Sequence, residues 1–344
     1  MHKARMMMAA NGGLLTRSQA LDAGLSPGTI RLLIRRGDLV LLRRGVYADG
    51  ELWRSLDVYR GQHKLRTRAA LLTMRRGWVV SHDSAGHEHE LDLLLPPEPH
   101  VHITRPGFTT AWTEYGVKHH LAPFREEQVV QLNGLKVLDV ARTAVDIARE
   151  HGSPYGEVAC DSAMRSGVRR AALEDALEPM RNWPHVNRAR DAVAFADPRA
   201  ASVAESLGRG LVLELMAMVG ITAHLELQFP VPLHTGRVAW CDILVGCHDF
   251  EPDGHLKYVP VAEGGLADKP AHEVLWAEKK RERDLHQLRL GTSRIFWEDY
   301  WPPQRATALK RMRDEYEDTR AQFGDVLPDY LVRKARELRG ELGA

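Results

Sequence analysis

The sequence predicts a multidomain protein of mixed α+β and α/β class, and three observations support this prediction. The chain has 344 residues, which is enough for two or three separate cores. Helical and extended patterns alternate along it, with turn signals between them. Its charge is uneven: residues 1–76 hold 15 Lys and Arg against 5 Asp and Glu, whereas the remainder holds 32 against 41, so a total of +1 conceals a basic N-terminal part. A basic part of this kind suits binding to a polyanion such as nucleic acid.

Composition excludes several classes of protein. The chain is 44% hydrophobic and 27% charged, and no apolar run reaches the roughly 18 residues that a membrane span needs. The N-terminus is basic but its apolar run is very short, so we expect no signal peptide and no membrane partner. Three cysteines are too few for a disulfide framework, which favours a reducing cytoplasm and buried structural thiols. Cys241 and Cys247, with His248 and His255 nearby, match no common zinc-finger spacing.

The basic N-terminal part begins with the signals of two short helices. Thr16 and Gln19 have the spacing of a capping box, and Gly24 supplies a left-handed stop. Ser26 then caps a second helix with Pro27 in its first turn. That helix is predicted to end at Gly37, and two short strands follow at 39–42 and 46–47 around the turn Arg43-Arg44-Gly45.

Helix, turn, helix and basic hairpin in this order predict a winged helix-turn-helix domain over residues 1–50. In that geometry the second helix enters the major groove of double-stranded DNA, and the arginines of the wing reach phosphate or the minor groove. A winged helix used only for protein contacts is the alternative. The candidate DNA-binding residues are Thr29, Arg31, Arg35, Arg36, Arg43 and Arg44.

The same residues resemble a known family. The runs 13–26, 30–39 and 42–47 are similar to the N-terminal domain of AbiEi-type antitoxins. In that family the winged helix binds promoter DNA and represses a toxin–antitoxin operon. The resemblance implies double-stranded DNA as a partner and allows for a cognate toxin.

Residues 51–197 are predicted to form an α+β middle region that serves as a scaffold or as the surface of a homodimer. The predicted elements are a long helix at 51–76, a short helix capped by Ser81, strands at 101–104, 116–120 and 129–137, a helix at 138–151, and helices over about 155–196.

Two motifs of this middle region also resemble segments of the antitoxin-like proteins. They are Ser-His-Asp-Ser-Ala at 81–85 and Ala-Arg-Thr-Ala-Val-Asp-Ile-Ala at 141–148. Catalysis by Ser81, His82 and Asp83 is not expected, because members of a triad are brought together by the fold and not by adjacency in sequence. Arg142 and Asp146 are four residues apart on one helix, which predicts an ion pair. We therefore assign no chemistry to the middle region.

The C-terminal part has the order αβββαβ, which fits a mixed-sheet α/β core. A helix over 200–220 places Ser202, Glu205 and Arg209 on one face. The predicted elements that follow are strands at 225–231, 238–245 and 249–251, a charged helix at 271–290 and a strand at 293–297. Residues 301–344 read as charged helices that either dock on this core or pair with a second chain.

Residues 242–258 carry the candidate chemistry of this part. Asp242 lies on one strand, Glu251 and Asp253 lie on the next, and Lys257 follows. Carboxylates on paired strands with an acid on a preceding helix, here Glu205, can bind a hard cation.

Residues 198–300 resemble a PD-(D/E)XK domain, the restriction-endonuclease-like fold, and among such domains those similar to very-short-patch-repair endonucleases. The resemblance implies that Asp242 and Glu251 hold Mg²⁺ or Mn²⁺, with Glu205 as a third ligand. The ion would activate a water molecule at the scissile phosphate. Asp253 and Lys257 complete the implied catalytic set, with Lys279 of the next helix as an alternative to Lys257.

Two departures from that pattern keep a second hypothesis open. Asp253 stands where many such folds carry lysine, and Pro252 between the acids belongs at a strand edge or bulge. The alternative is a noncatalytic transcriptional regulator or antitoxin with a vestigial nuclease fold. A third hypothesis is a phage-defence adaptor that binds protein and not DNA.

Overall fold

The computed structural model describes residues 2–74, 77–253 and 271–340. The chain divides into two compact units, Met1–Ala196 and Asp197–Ala344. Helices combine with three sheets, which confirms the predicted mixed multidomain class. The division falls next to the boundary predicted between residues 197 and 198, and the finer division into four domains stays a prediction.

The first unit begins with a helix-turn-helix beside a three-stranded antiparallel sheet of order β1-β3-β2. Its elements are α1 (His2–Ala10), β1 (Leu14–Thr16), α2 (Arg17–Asp22), α3 (Pro27–Arg36), β2 (Leu39–Arg43) and β3 (Val46–Asp49). Thr16 Oγ1 accepts the Gln19 amide and Gln19 returns the bond, so the predicted capping box is present. The sequence analysis did not include α1, whose Ala4 and Met8 are buried against α3 and its neighbours.

The predicted long helix at 51–76 is wrong, because two helices replace it. They are α4 (Gly50–Ser55) and α5 (Gly61–Leu71). Asp57 accepts hydrogen bonds from the backbone amides of Arg60 and Gly61 at 2.7 and 2.8 Å, which satisfies the free donors at a new helix start. Because Asp57 caps the start of α5, the chain does not continue as one helix through this position.

A six-stranded sheet of order β6-β7-β5-β4-β9-β8 forms the centre of the first unit. Its strands and the helix after the first of them are β4 (Val79–Val80), α6 (His82–Glu88), β5 (Val101–Arg105), β6 (Thr110–Glu114), β7 (Val117–Leu121), β8 (Val129–Leu132) and β9 (Leu135–Leu138). The single strand predicted at 129–137 is wrong, because Asn133 and Gly134 both have positive φ and turn the chain into a hairpin.

Four helices complete the first unit and share an apolar core around Ala144, Leu173 and Met180. They are α7 (Val140–His151), α8 (Tyr155–Arg165), α9 (Arg170–Leu177) and α10 (Val186–Phe195). Asp139 caps α7 by accepting the Arg142 amide at 2.8 Å.

The second unit is built on a four-stranded sheet of order β10-β11-β12-β13. Its elements are α11 (Val203–Val219), β10 (Leu225–Pro232), β11 (Val238–Val245), β12 (His248–Pro252), α12 (Ala271–Gln287), β13 (Gly291–Ile295), α13 (Gln304–Phe323) and α14 (Asp329–Leu338). The first three strands are antiparallel, whereas β13 runs parallel to β12. A parallel neighbour needs a crossover connection, and α12 lies within it.

The three cysteines, Cys160, Cys241 and Cys247, are free and buried, as predicted. Within the described ranges, none of the helices combines the length and apolar composition that crossing a bilayer requires.

Candidate functional site

Helix α3 has both ends capped and one face buried, so its arginine-bearing face is exposed to solvent. Ser26 caps its start by accepting the Thr29 amide at 3.1 Å, and Gly37 ends it with φ of 76°. Ile30 and Leu33 are buried in the core of the winged helix. The opposite face of the helix is therefore exposed to solvent.

The candidate DNA-binding residues lie on this face and on the wing. Arg31, Arg35 and Arg36 of α3 are exposed, and so is Arg44 in the β2–β3 turn. Four guanidinium groups on one helix and its neighbouring hairpin are suited to phosphate contacts. The structure thus presents four of the six predicted residues to solvent.

Arg43 and Thr29 are placed differently. Arg43 is half-buried, and burial lowers the pKa of its guanidinium, with Glu114 acting in the opposite direction. The Thr29 hydroxyl forms a hydrogen bond of 2.9 Å with the Ser26 hydroxyl. Thr29 therefore takes part in capping the helix, and Arg43 lies half-buried at the end of β2, directly before the turn of the wing.

In the second unit, Glu205 and Asp242 meet at a common side chain. Gln228 donates through Nε2 to Glu205 Oε2 at 2.8 Å and to Asp242 Oδ1 at 3.1 Å. Glu205 lies in the first turn of α11, where the Ala201 amide also donates to it. The sequence analysis missed Gln228 because it lies within a predicted strand. Its positive φ of 50° depends on the tertiary structure and has no local sequence signal.

Glu251 lies beside Asp242 on the next strand. Ile243 pairs with Phe250 across β11 and β12, so Asp242 and Glu251 occupy the next pair of positions. Arg281 of α12 holds Glu251, with Nη2 and Oε1 3.0 Å apart. Carboxylates on adjacent strands repel each other, and this arginine together with Gln228 offsets the repulsion.

Asp249 adds a carboxyl group that the sequence analysis also missed. It is fully buried on β12, and Arg281 Nη2 lies 3.8 Å from its Oδ2. Burial raises its pKa well above the ordinary range for aspartate, and the nearby charges of Glu251 and Asp242 raise it further. The perturbed group marks this strand as a candidate functional region.

Asp253 and Lys257 were predicted to complete the set. Asp253 is buried and pairs with Arg294 Nη1 at 3.3 Å, whereas Lys257 lies outside the described residues. Glu251 and Arg281 line a cavity of about 390 Å³, together with Arg294 and Arg311. The lining also includes Glu282 and Glu315, so three arginines face three glutamates and the cavity carries charges of both signs.

The donors fit Mg²⁺ or Mn²⁺ in kind, because carboxylate and amide oxygens are hard ligands. Among the described residues, the groups of three candidate ligands that come within 4.8 Å of one another lie in the first unit and contain histidine. Glu205, Asp242 and Glu251 are brought to neighbouring positions but do not form such a group. The metal assignment therefore stays a prediction.

Comparison with known proteins identifies the N-terminal part and the family of the chain. Residues 5–48 match the family model described as "Transcriptional regulator, AbiEi antitoxin". Two proteins of Mycobacterium tuberculosis, "Uncharacterized protein Rv2248" of strain H37Rv and "Uncharacterized protein MT2308" of strain CDC 1551, are each 30% identical over 224 residues, covering 61% of this chain and 73% of that protein. The chain belongs to the Rv2248 family.

For this member of the Rv2248 family, the predicted AbiEi resemblance of the N-terminal part is confirmed. The matched residues include α2, α3 and the wing, which are the elements that carry the exposed arginines. The fusion to a PD-(D/E)XK domain stays a prediction.

One further cluster in this Rv2248-family chain lies where the sequence predicted no chemistry. Asp83 Oδ2 is 2.8 Å from His151 Nε2 and 3.2 Å from His102 Nε2, in the interior of the first unit. His82 and His120 are stacked with ring centroids 3.8 Å apart. No local spacing signals this cluster, because its members come from α6, β5, β7 and α7.

Proposed function

We propose that this protein is a DNA-binding transcriptional regulator of the antitoxin type, which represses its own operon through the winged helix. The observation that carries the proposal is the exposed arginine face of α3, over residues that match an AbiEi regulator model. The second helix of a helix-turn-helix inserts into the major groove of double-stranded DNA.

Charge and geometry support specific roles for the arginines. Arg31, Arg35 and Arg36 project from one helix, so they are placed for base edges and flanking phosphates. Arg44 at the tip of the wing is placed for phosphate or the minor groove. The protein acts in the cytoplasm under this proposal, and a cognate toxin and a second copy of the chain are its protein partners.

The proposal is tested with duplex DNA from upstream of the protein's own gene. Replacement of Arg31, Arg35, Arg36 and Arg44, the four exposed arginines, by alanine is expected to weaken binding at least about 100-fold, because each lost arginine contact costs about 1–3 kcal/mol. Arg181→Ala is the matched control, since Arg181 is exposed in the same unit and pairs only with its neighbour Glu178 among the described contacts. Unchanged binding by the fourfold variant would contradict the proposal.

A second candidate function is metal-dependent cleavage of DNA by the second unit. Its support is the junction of Glu205 and Asp242 at Gln228, with Glu251 on the adjacent strand position. A bound Mg²⁺ or Mn²⁺ would supply an activated water. Glu205, Asp242 and Glu251 would hold the ion. Arg281, which pairs with Glu251, would have to release that carboxylate and bind a phosphate of the DNA.

Plasmid cleavage in Mg²⁺ or Mn²⁺ tests this second function. The wild-type chain is expected to nick plasmid and Asp242→Asn is expected to lose the activity. Asp314→Asn is the control, because Asp314 is an exposed carboxylate of α13 in the same unit. Absence of cleavage, with no difference between wild type and Asp242→Asn, would refute catalysis and leave the regulator proposal standing.

A further inference from the structure

The interior of the first unit holds an unusual number of buried histidines. His82, His102 and His120 are each at most 3% exposed, and Asp83 is 1% exposed. Polar groups removed from water are costly unless each finds a partner. The hydrogen bonds of these rings show which nitrogen atoms are already used.

His102 is oriented by Asp83 and directed at His120. The buried carboxylate lies 3.2 Å from His102 Nε2, which favours the tautomer with the proton on Nε2 and a lone pair on Nδ1. That Nδ1 is 3.0 Å from His120 Nε2. A carboxylate that fixes the far nitrogen of an imidazole is the arrangement found behind metal-binding histidines.

His82 is held in a corresponding way by a hydroxyl group. Its Nδ1 is 3.0 Å from Ser81 Oγ, and Ser81 Oγ also accepts from Thr104 Oγ1 at 2.7 Å. A hydroxyl oxygen can accept two such bonds. His82 Nε2, in contrast, is buried and finds no hydrogen-bond partner among the described residues.

The backbone of His82 is also strained. Its φ is 48°, in the left-handed region, which is uncommon for residues other than glycine although histidine, like asparagine and aspartate, adopts it more often than most. A conformation of this kind costs on the order of 1–3 kcal/mol and persists where the surroundings enforce it, often at functional sites. Here it turns the first residue of α6 into the cluster.

One donor atom from each of His82, His102 and His120 lies within 4.8 Å of the other two. Burial lowers the pKa of His102 and of His120 to about 3, and that of His82 well below its ordinary value. All three rings are thus neutral at physiological pH, which is the form that binds a metal ion.

We propose that His82, His102 and His120 bind one divalent transition-metal ion of the zinc class inside the first unit. Imidazole nitrogens suit zinc and its neighbours in the first row, whereas Mg²⁺ prefers oxygen. Asp83 and Ser81 orient two of the three rings from behind. Because His82 stacks on His120 with ring centroids 3.8 Å apart, its ring must tilt on binding for Nε2, which is without a hydrogen-bond partner among the described residues, to reach the same ion.

A second group, Asp83 with His102 and His151, also brings three atoms within 4.8 Å. Its contacts are accounted for without an ion, because Asp83 Oδ2 forms a hydrogen bond with His151 and lies 3.2 Å from His102 Nε2. His120 also lines a cavity of about 250 Å³, beside Lys118 and Arg149.

Metal content of the full chain, expressed without a histidine tag, tests the proposal. The background is Asp242→Asn, so that the carboxylates of the second unit are weakened as competing ligands. After dialysis against metal-free buffer, mass spectrometry is expected to find about one Zn²⁺ per chain. Titration of the stripped chain against a chromophoric chelator then gives the Zn²⁺ affinity.

Three variants locate the ion. His120→Gln is expected to weaken Zn²⁺ binding at least about 100-fold, and Ser81→Ala about 10-fold, because loss of an orienting partner costs about 10–100-fold. His119→Gln is the matched control: it neighbours His120 on β7, faces the other side of the strand, and stacks on Trp112. It is expected to keep full affinity.

Three results would overturn the proposal. A wild-type site that holds no Zn²⁺ above the buffer blank, or a His120→Gln chain that binds as tightly as wild type, overturns it. If His120→Gln fails to fold by circular dichroism, the electronic spectrum of the Co²⁺-loaded background chain decides. Intense bands of tetrahedral nitrogen ligation support the site, and the weak bands of a hydrated octahedral ion overturn it. DNA binding is a separate measurement, so this failure would leave the regulator proposal intact.

Discussion

Replacement of Asp146 by alanine should remove the anion that neutralises two buried arginines. Asp146 is fully buried, and its Oδ2 lies 2.8 Å from Arg142 Nε while its Oδ1 lies 3.3 Å from Arg149 Nη2. Both guanidinium groups also lie about 5 Å from the ring of Trp183. Without Asp146, two positive charges face each other in a place from which water is excluded.

The magnitude follows from the burial of the partners. Removal of one member of a buried ion pair costs about 3–5 kcal/mol, because the other member stays buried without compensation. For a unit of about this size, each kcal/mol lowers the midpoint of thermal unfolding by roughly 2–4 °C. We therefore expect Asp146→Ala to lower the midpoint of the first unit by roughly 6–20 °C. The double variant Arg142→Met/Asp146→Leu should recover part of that loss, because it removes one of the two guanidinium groups together with the carboxylate, while Arg149 stays without its partner.

Thermal and urea unfolding followed by far-ultraviolet circular dichroism measure this effect. Glu178→Ala is the control, since Glu178 pairs with Arg181 at 3.0 Å on the surface, with side chains 67% and 74% exposed. Exposed pairs contribute about 0–1 kcal/mol. The reasoning is refuted if Asp146→Ala costs no more than Glu178→Ala, or if the double variant is less stable than the single one.

Three further predictions concern single side chains. Ser26→Ala removes the cap on the Thr29 amide and should cost about 1 kcal/mol in urea unfolding of the first unit; no change would refute that role. Gly208→Ala places a Cβ 2.7 Å from Pro252 Cγ and should cost about 1–3 kcal/mol in the second unit; a neutral result would contradict the packing of α11 on β12. Burial lowers the pKa of His248 to about 3 from 6.5, so the unfolded chain binds the extra proton between these values. Stability of the second unit should therefore fall by about 1.4 kcal/mol per pH unit as the pH drops below about 6.5. In urea titrations at pH 7 and 5.5, His248→Gln should lose this contribution, and an identical pH dependence would disprove it.

Local signals were sufficient for the winged helix. Thr16, Ser26 and Gly37 cap or end their helices through bonds to residues within four positions, so the chain itself contains the information. The break between α4 and α5 was missed because Asp57 competes for helix-start amides inside an apolar repeat. Strand β6 was missed because all five of its residues are exposed and show no alternation.

The residues of the candidate sites also differ in whether the sequence alone could predict them. The arginines of α3, Asp242 of β11 and Glu251 of β12 could be named from residue type and periodicity. Gln228, Asp249 and the histidine cluster could not, because their roles arise from tertiary contacts. His102 and His120 are 18 residues apart, and Asp83 and His151 are 68 apart. Adjacency of Ser81, His82 and Asp83 suggested at most a triad, whereas the fold directs their side chains to partners on other elements.

The salt dependence of DNA binding tests the central claim most directly. Fluorescence anisotropy of the full chain on duplex from upstream of its own gene, between about 50 and 200 mM salt, should give a linear fall of log affinity with log salt. In Arg35→Ala/Arg36→Ala the slope should be smaller by about 2, one for each lost phosphate contact. A slope equal to that of wild type would show that α3 does not face the DNA.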